Sequence, residues 1–93
     1  MAGAADMARE VVLYTREGCG LCDDAAAMLR ALSGELRFTL REVDIDGEPG
    51  ALAAYDEVIP VIAVGGRVVS QAPVDAGVLR EALRREWGIG SRD

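Results

Sequence analysis

The chain has 93 residues, 51% of them apolar, with 16 acidic against 10 basic residues and a formal net charge of −6. That length makes one small domain with an adequate core, and the apolar share excludes a disordered chain. The acidic balance excludes a nucleic-acid binder, whose phosphates require a basic face, and disfavours anionic membrane surfaces.

The opening residues, MAGAADMARE, hold no apolar run and carry Asp6 and Glu10, so they do not read as a secretory signal. No stretch reaches transmembrane length. The expectation is a cytoplasmic protein with mostly reduced thiols, in which a structural disulfide is a poor account of the two cysteines. Residues 1–8 are expected to form a loose tail. Val11–Thr15 (VVLYT) is a short β-branched and aromatic run that reads as a buried strand. REGCG follows as a loop. From Leu21 the spacing turns helical, with Leu21, Ala25, Met28, Leu29 and Leu32 on one face and Ser33-Gly34 as the stop.

Arg37–Asp46 reads as a second strand whose apolar positions change parity, from Phe38 and Leu40 to Val43 and Ile45; a bulge or a twisted edge strand would produce that. A short helix opens near Pro49. Ile59–Val64 is a third strand, Gly65-Gly66 a two-residue hairpin turn, and Arg67–Ser70 the antiparallel return. Asp75 is a candidate N-cap for a last helix with Val78, Leu79, Ala82, Leu83 and Trp87 as its stripe and a Glu81–Arg85 pair outside. Gly88 stops it, and the tail from there to Asp93 should fray. The order β-α-β-α-β-β-α predicts an α/β domain spanning 1–93, with its core at about 11–87: one four-stranded mixed sheet flanked by helices.

Both cysteines, Cys19 and Cys22, lie between the first strand and the first helix. At i,i+3 across a helix start their sulfurs can reach disulfide geometry. The free N–H groups and partial positive charge of the helix N-terminus favour a thiolate, and Arg16 can add a full charge. Thiols so placed have pKa values of about 3.5–7.5, against about 8.5 for a free one. Glu17, Asp23 and Asp24 oppose that shift. Two inert thiols, or part of a zinc site, are the other readings; the chain has no histidine and no further cysteine to complete a site of four ligands. Ile59-Pro60 also reads two ways, as a proline tolerated at a strand start or as a cis-proline facing the cysteines.

Taken together, VVLYTREGCGLC, VDID, VIPVIAVGGRVV and the final amphipathic helix resemble a glutaredoxin. More closely they resemble the small bacterial glutaredoxin-like proteins of the thioredoxin-fold superfamily, over about Val11 to Trp87. The resemblance implies the thioredoxin/glutaredoxin fold and a thiol–disulfide oxidoreductase that reduces protein disulfides or glutathione mixed disulfides. It implies that Cys19 attacks and Cys22 resolves, and that Arg16 fills the family's basic position. It further implies that Ile59-Pro60 docks substrate with the proline cis. Asp75 is the one residue comparable to the Gly-Gly-Asp segment that grips glutathione; SQAPVD stands in that segment's place. Gly20 and Leu21 replace the usual proline and tyrosine, and the first strand lacks the buried aspartate typical of thioredoxins.

These departures, with Pro73 offering no N–H and with three carboxylates around the motif, imply weak glutathione binding and no other cofactor. The expected partner is a protein disulfide, met by a monomer that glutathione or a thioredoxin-reductase-type reductant reduces. Two rival functions are a dimer sharing a [2Fe–2S] cluster through Cys19 and a module that binds a partner through Ile59-Pro60 without turnover.

Overall fold

The computed structural model describes residues 9–89, so the tail expected at 1–8 lies outside the described residues, as does the last part of the tail expected from Gly88. Four strands, β1 (Glu10–Thr15), β2 (Thr39–Asp44), β3 (Val61–Val64) and β4 (Arg67–Gln71), form one sheet in the order β2-β1-β3-β4. β2 runs parallel to β1, while β3 is antiparallel to β1 and β4 to β3. Three helices complete the domain: α1 (Gly20–Leu36), α2 (Pro49–Tyr55) and α3 (Ala76–Trp87). The mixed sheet and element order are those expected from the sequence, with one added 3-10 turn at Ile45–Gly47.

β1 sits centrally because both of its faces are apolar. Val11 and Leu13 are fully buried with Ile62 and Val64 of β3, beneath Ala25, Leu29 and Leu32 of α1 and Leu79 and Leu83 of α3. On the opposite face Tyr14 stacks on Tyr55 of α2, ring centroids 4.7 Å apart, beside the short 49–55 helix. Period-2 alternation therefore serves two cores, and strand β3, buried at every position, reads as a continuous apolar run for the same reason.

Several details differ from the sequence reading, and β3 begins at Val61 rather than at Ile59. α1 continues past Ser33-Gly34 to Leu36, because Leu36 lies one turn beyond Leu32 on the same stripe and is buried. Ser33 Oγ donates to the Arg30 carbonyl inside the helix, and Arg37, at φ 65°, closes it by donating its N–H to Ser33 O. β2 is shorter than expected and pairs with β1 without interruption. The parity change arises because β2 meets apolar groups on both faces: Leu40 pairs with Val11 on the core side and Val43 with Tyr14 on the other, while Ile45 has left the strand for the 3-10 turn, where it is fully buried. The bulge lies instead in β4, where Val69 is the extra residue between the Ile62–Ser70 and Ala63–Val68 pairs.

Gly65 and Gly66 make the hairpin with φ of 59° and 79°, which side chains disfavour. Asp75 caps α3 by accepting the Val78 N–H at 2.9 Å, and Gly88 and Ile89 close its far end rather than fray. Leu21 and Val78, assigned to apolar stripes from spacing, are exposed; both fall in a first turn, beyond the reach of the core. The Glu81–Arg85 pair does not form among the described residues. Glu35 of α1 instead holds Arg80 at 3.0 Å and Arg84 at 3.4 Å, tying the two helices together.

Leu79→Ala, at a fully buried position between α3 and the sheet, should cost about 2–5 kcal/mol, read as a lowered urea midpoint. The arginines hold the Glu35 carboxyl below the usual glutamate range, chiefly through the Arg80 hydrogen bond. Its contribution is therefore fully present at neutral pH and is lost as pH falls through that lowered pKa. Glu35→Gln should be less stable than the parent at pH 7, and the difference should vanish in acid.

Candidate functional site

The topology gathers four connections at one end of the sheet. β1 and β2 finish there, with Thr15 opposite Asp44. β3 begins there and β4 ends there, with Val61 opposite both Tyr14 and Gln71. The residues singled out from sequence all belong to this end: Arg16, Cys19, Leu21 and Cys22 after β1, Ile59 and Pro60 before β3, and Asp75 after β4. One further step of the antiparallel register sets Pro60 across from Thr15, beside the loop that leads to the cysteines.

Cys19 is the N-cap of α1. Its backbone is extended (φ −96°, ψ 104°), and its sulfur accepts the Cys22 N–H at 3.1 Å. Its own N–H donates to the Arg16 carbonyl at 3.3 Å, a tight turn that Gly18 permits by adopting φ 81°. The two cysteines form a disulfide, with Cα atoms 5.2 Å apart. Cys22 is fully buried and Cys19 is half-buried. Only one sulfur is thus open to another molecule. When the pair is reduced, that sulfur receives an N–H and the positive end of a 17-residue helix, and both favour the thiolate.

Arg16 was expected to lend Cys19 a full positive charge, but the structure commits its guanidinium elsewhere. Nε and Nη2 bind the Asp46 carboxylate at 3.2 and 2.9 Å, and Nη1 binds Asp56 at 2.9 Å. The Asp46 hydrogen bond leads in pushing the Arg16 pKa up. One cation is balanced by two carboxylates, so the cluster is net negative, and it ties the cysteine loop to the 3-10 turn and to the segment that enters Pro60. Asp46 and Asp56 were missed in the sequence. Their spacing from Arg16 carries no local signal, and the contact exists only because β1 and β2 end together.

Pro60 is buried and the Ile59–Pro60 bond is cis, the second of the two sequence readings; the Ala72–Pro73 bond, not singled out before, is cis as well. The Pro60 carbonyl accepts the Ala72 N–H at 3.0 Å. Neither the N–H nor the carbonyl of Ile59 has a partner among the described residues. Leu21, two residues after Cys19, lies 61% exposed. The Asp75 carboxylate is occupied as a helix cap, one oxygen already bound to the Val78 N–H.

Residues 10–84 match the family model described as glutaredoxin-like domain (DUF836). Uncharacterized proteins of Mycobacterium bovis and Mycobacterium tuberculosis are each 37% identical, over 82% of this chain and 84% of theirs. A solution NMR structure of a Nitrosomonas europaea protein is similar at 32% identity and a TM-score of 0.67, covering 76% of this chain and 86% of that one. A thioredoxin of Fasciola hepatica superposes with a TM-score of 0.62 at 27% identity, over 88% and 85%. The mixed sheet with flanking helices is thus a thioredoxin-like fold.

After reduction, alkylation at mildly acidic pH should modify Cys19 well before Cys22; mass spectrometry of the singly labelled chain reads the site, and preferential labelling of Cys22 would contradict the geometry. Asp46→Asn combined with Asp56→Asn leaves the Arg16 charge uncompensated. The pH midpoint of Cys19 alkylation should then move lower than in the parent.

Proposed function

The chain belongs to the glutaredoxin-like domain family, and on that premise we propose that it is a thiol–disulfide oxidoreductase acting on protein disulfides. The observation that carries this reading is the asymmetry of the pair: one sulfur half-exposed as a helix cap, the other buried one turn in. The Cys19 thiolate attacks a substrate sulfur, forming a Cys19–substrate disulfide and expelling the other substrate sulfur as a thiolate that takes up a proton. Cys22 then loses its proton and attacks Cys19. The second substrate thiol leaves, the Cys19–Cys22 disulfide closes, and two electrons have passed to the substrate. Among the described residues no polar or charged side chain is buried, so the Cys22 proton leaves by solvent at the loop rather than through an internal carboxylate.

Substrate docking follows from what the site leaves open. An extended peptide can pair with the free N–H and carbonyl of Ile59, with Pro60 fixing the segment and Leu21 offering apolar contact beside Cys19. Glutathione is the weaker ligand on this reading. Pro73 supplies no N–H before α3, Asp75 is engaged as a cap, and the Arg16 charge is already taken by Asp46 and Asp56. The cycle closes when glutathione or a thioredoxin-reductase-type system reduces the pair, in a cytoplasmic, reducing setting and with the protein acting as a monomer.

Cys22→Ser should accumulate a mixed disulfide on Cys19 with a protein more readily than with glutathione, and Cys19→Ser should lose turnover to background. Turnover is measured with separate glutathione and thioredoxin-reductase systems, and glutathione affinity by calorimetry. Tight glutathione binding with efficient turnover of small glutathionylated substrates would return the protein to the ordinary glutaredoxins. Full biological activity of Cys19→Ser would remove the enzymatic reading altogether.

A further inference from the structure

Carboxylates without ion-pair partners gather at the cysteine end of the domain. At the cysteine end, Arg16 is the one cation among the described residues, and both faces of its guanidinium fork are filled by Asp46 and Asp56. Glu17 precedes Cys19, Asp23 and Asp24 follow Cys22, and Glu48 and Glu57 flank α2 above the same loops. All five are exposed, and none has an ion-pair partner among the described residues. The remaining described arginines lie on the strands, ahead of them, or on the helices, where Arg30 pairs with Glu42 and Arg80 with Glu35. Arg9 and Arg37 precede β1 and β2, Arg67 opens β4, and Arg84 and Arg85 are in the last turn of α3. Several of these are already paired, Arg67 with Glu86 and Arg84 with Glu35.

We infer that the substrates are cationic polypeptide disulfides, with Lys or Arg flanking the cysteine that Cys19 attacks. The inference rests on the oxidoreductase reading and adds its substrate class. The same end presents the unpartnered N–H and carbonyl of Ile59, which orient an extended chain across the cysteine loop. Side chains to either side of the reacting sulfur then pass the exposed carboxylates of this end, Glu17 and Asp24 from the cysteine loop and helix start and Glu57 from the segment before Pro60. A basic neighbour is attracted there, whereas an acidic one meets unpaired like charge, and either effect fades beyond the screening length of about 8 Å at physiological salt. A charged rim of one sign raises encounter rates by about 10–10³-fold for ligands of opposite sign, and more ionic strength removes that gain. The bonds made and broken are those of the exchange above; charge selects which disulfide reaches Cys19.

The test is single-turnover oxidation of the fully reduced protein by quenched-fluorophore peptide disulfides that share one disulfide loop and differ only in flanking residues: two Arg, two Glu or two Ser. Each rate is divided by the rate at which dithiothreitol reduces the same peptide, which removes the effect of flanking charge on the leaving thiol. At low ionic strength the Arg-flanked peptide should react about tenfold or more faster than the Glu-flanked one after this correction. The ratio should approach unity in roughly 0.5 M salt, where the screening length is only a few ångströms. Glu17→Gln with Asp24→Asn and Glu57→Gln should reduce the low-salt preference severalfold. Equal corrected rates in the parent protein, or a preference that survives high salt, overturn the substrate class while leaving the oxidoreductase reading in place. Failure of all three peptides, the Ser-flanked one included, to oxidise Cys19 and Cys22 overturns the oxidoreductase reading itself.

Discussion

A helix separated from a strand by only four residues must satisfy its first N–H groups with whatever the short connection supplies, and here the connection supplies a sulfur. The Cys22 N–H donates to Cys19, and that one bond fixes the rest of the site. It sets the Cys19 side chain over the helix axis, directs Cys22 inward on the face that carries Ala25 and Leu29, and requires the Gly18 turn that returns the Cys19 N–H to Arg16. Removing the cap would free an N–H and release the more exposed of the two sulfurs from its place. The cost of ordering the loop and the placement of its reactive atom are thus one and the same constraint.

Electrostatics around this cap pull in opposite directions. The helix end favours negative charge on sulfur, while the loops around it are acidic and their only cation is neutralised in the Asp46–Arg16–Asp56 cluster. That cluster serves position more than potential. It joins the loop after β1 to the turn after β2 and to the segment before Pro60, three stretches that touch only because the strands end together. An arginine suits the role because its planar fork binds two carboxylates at once, which a lysine ammonium cannot do with the same geometry.

Much of this was legible from residue order alone, for identifiable reasons. VVLYT followed by a CxxC and a helical stripe fixes the central strand and the helix start, since both depend on local chemistry. Gly65-Gly66 and Asp75 are likewise local devices and fall where they were placed. The length of α1 was not legible, because Ser33-Gly34 is a stop by propensity and the burial of Leu36 outweighs it. The parity change from Leu40 to Val43 was visible but its cause was not, since a strand packed on both faces and a strand that has bulged look alike in sequence. The carboxylate partners of Arg16 were not legible, because Asp46 and Asp56 are thirty and forty residues away, in the turn after β2 and the segment after α2.

The Val69 bulge in β4 also bears on colloidal behaviour. β2 and β4 are the two rims of the sheet, and a rim with free N–H and carbonyl groups is a template onto which another copy can add a strand. β2 carries Arg41 and Glu42 in its middle, so a strand stacked on it would have to crowd charged side chains. β4 carries its one charge, Arg67, at its start, and its middle is apolar, with Val68 exposed next to Val69. The extra residue breaks the regular spacing of groups along that rim and increases its twist, so a straight incoming strand finds no continuous ladder. The bulge in the hairpin that closes the fold thus also disfavours the addition of a further strand along that rim.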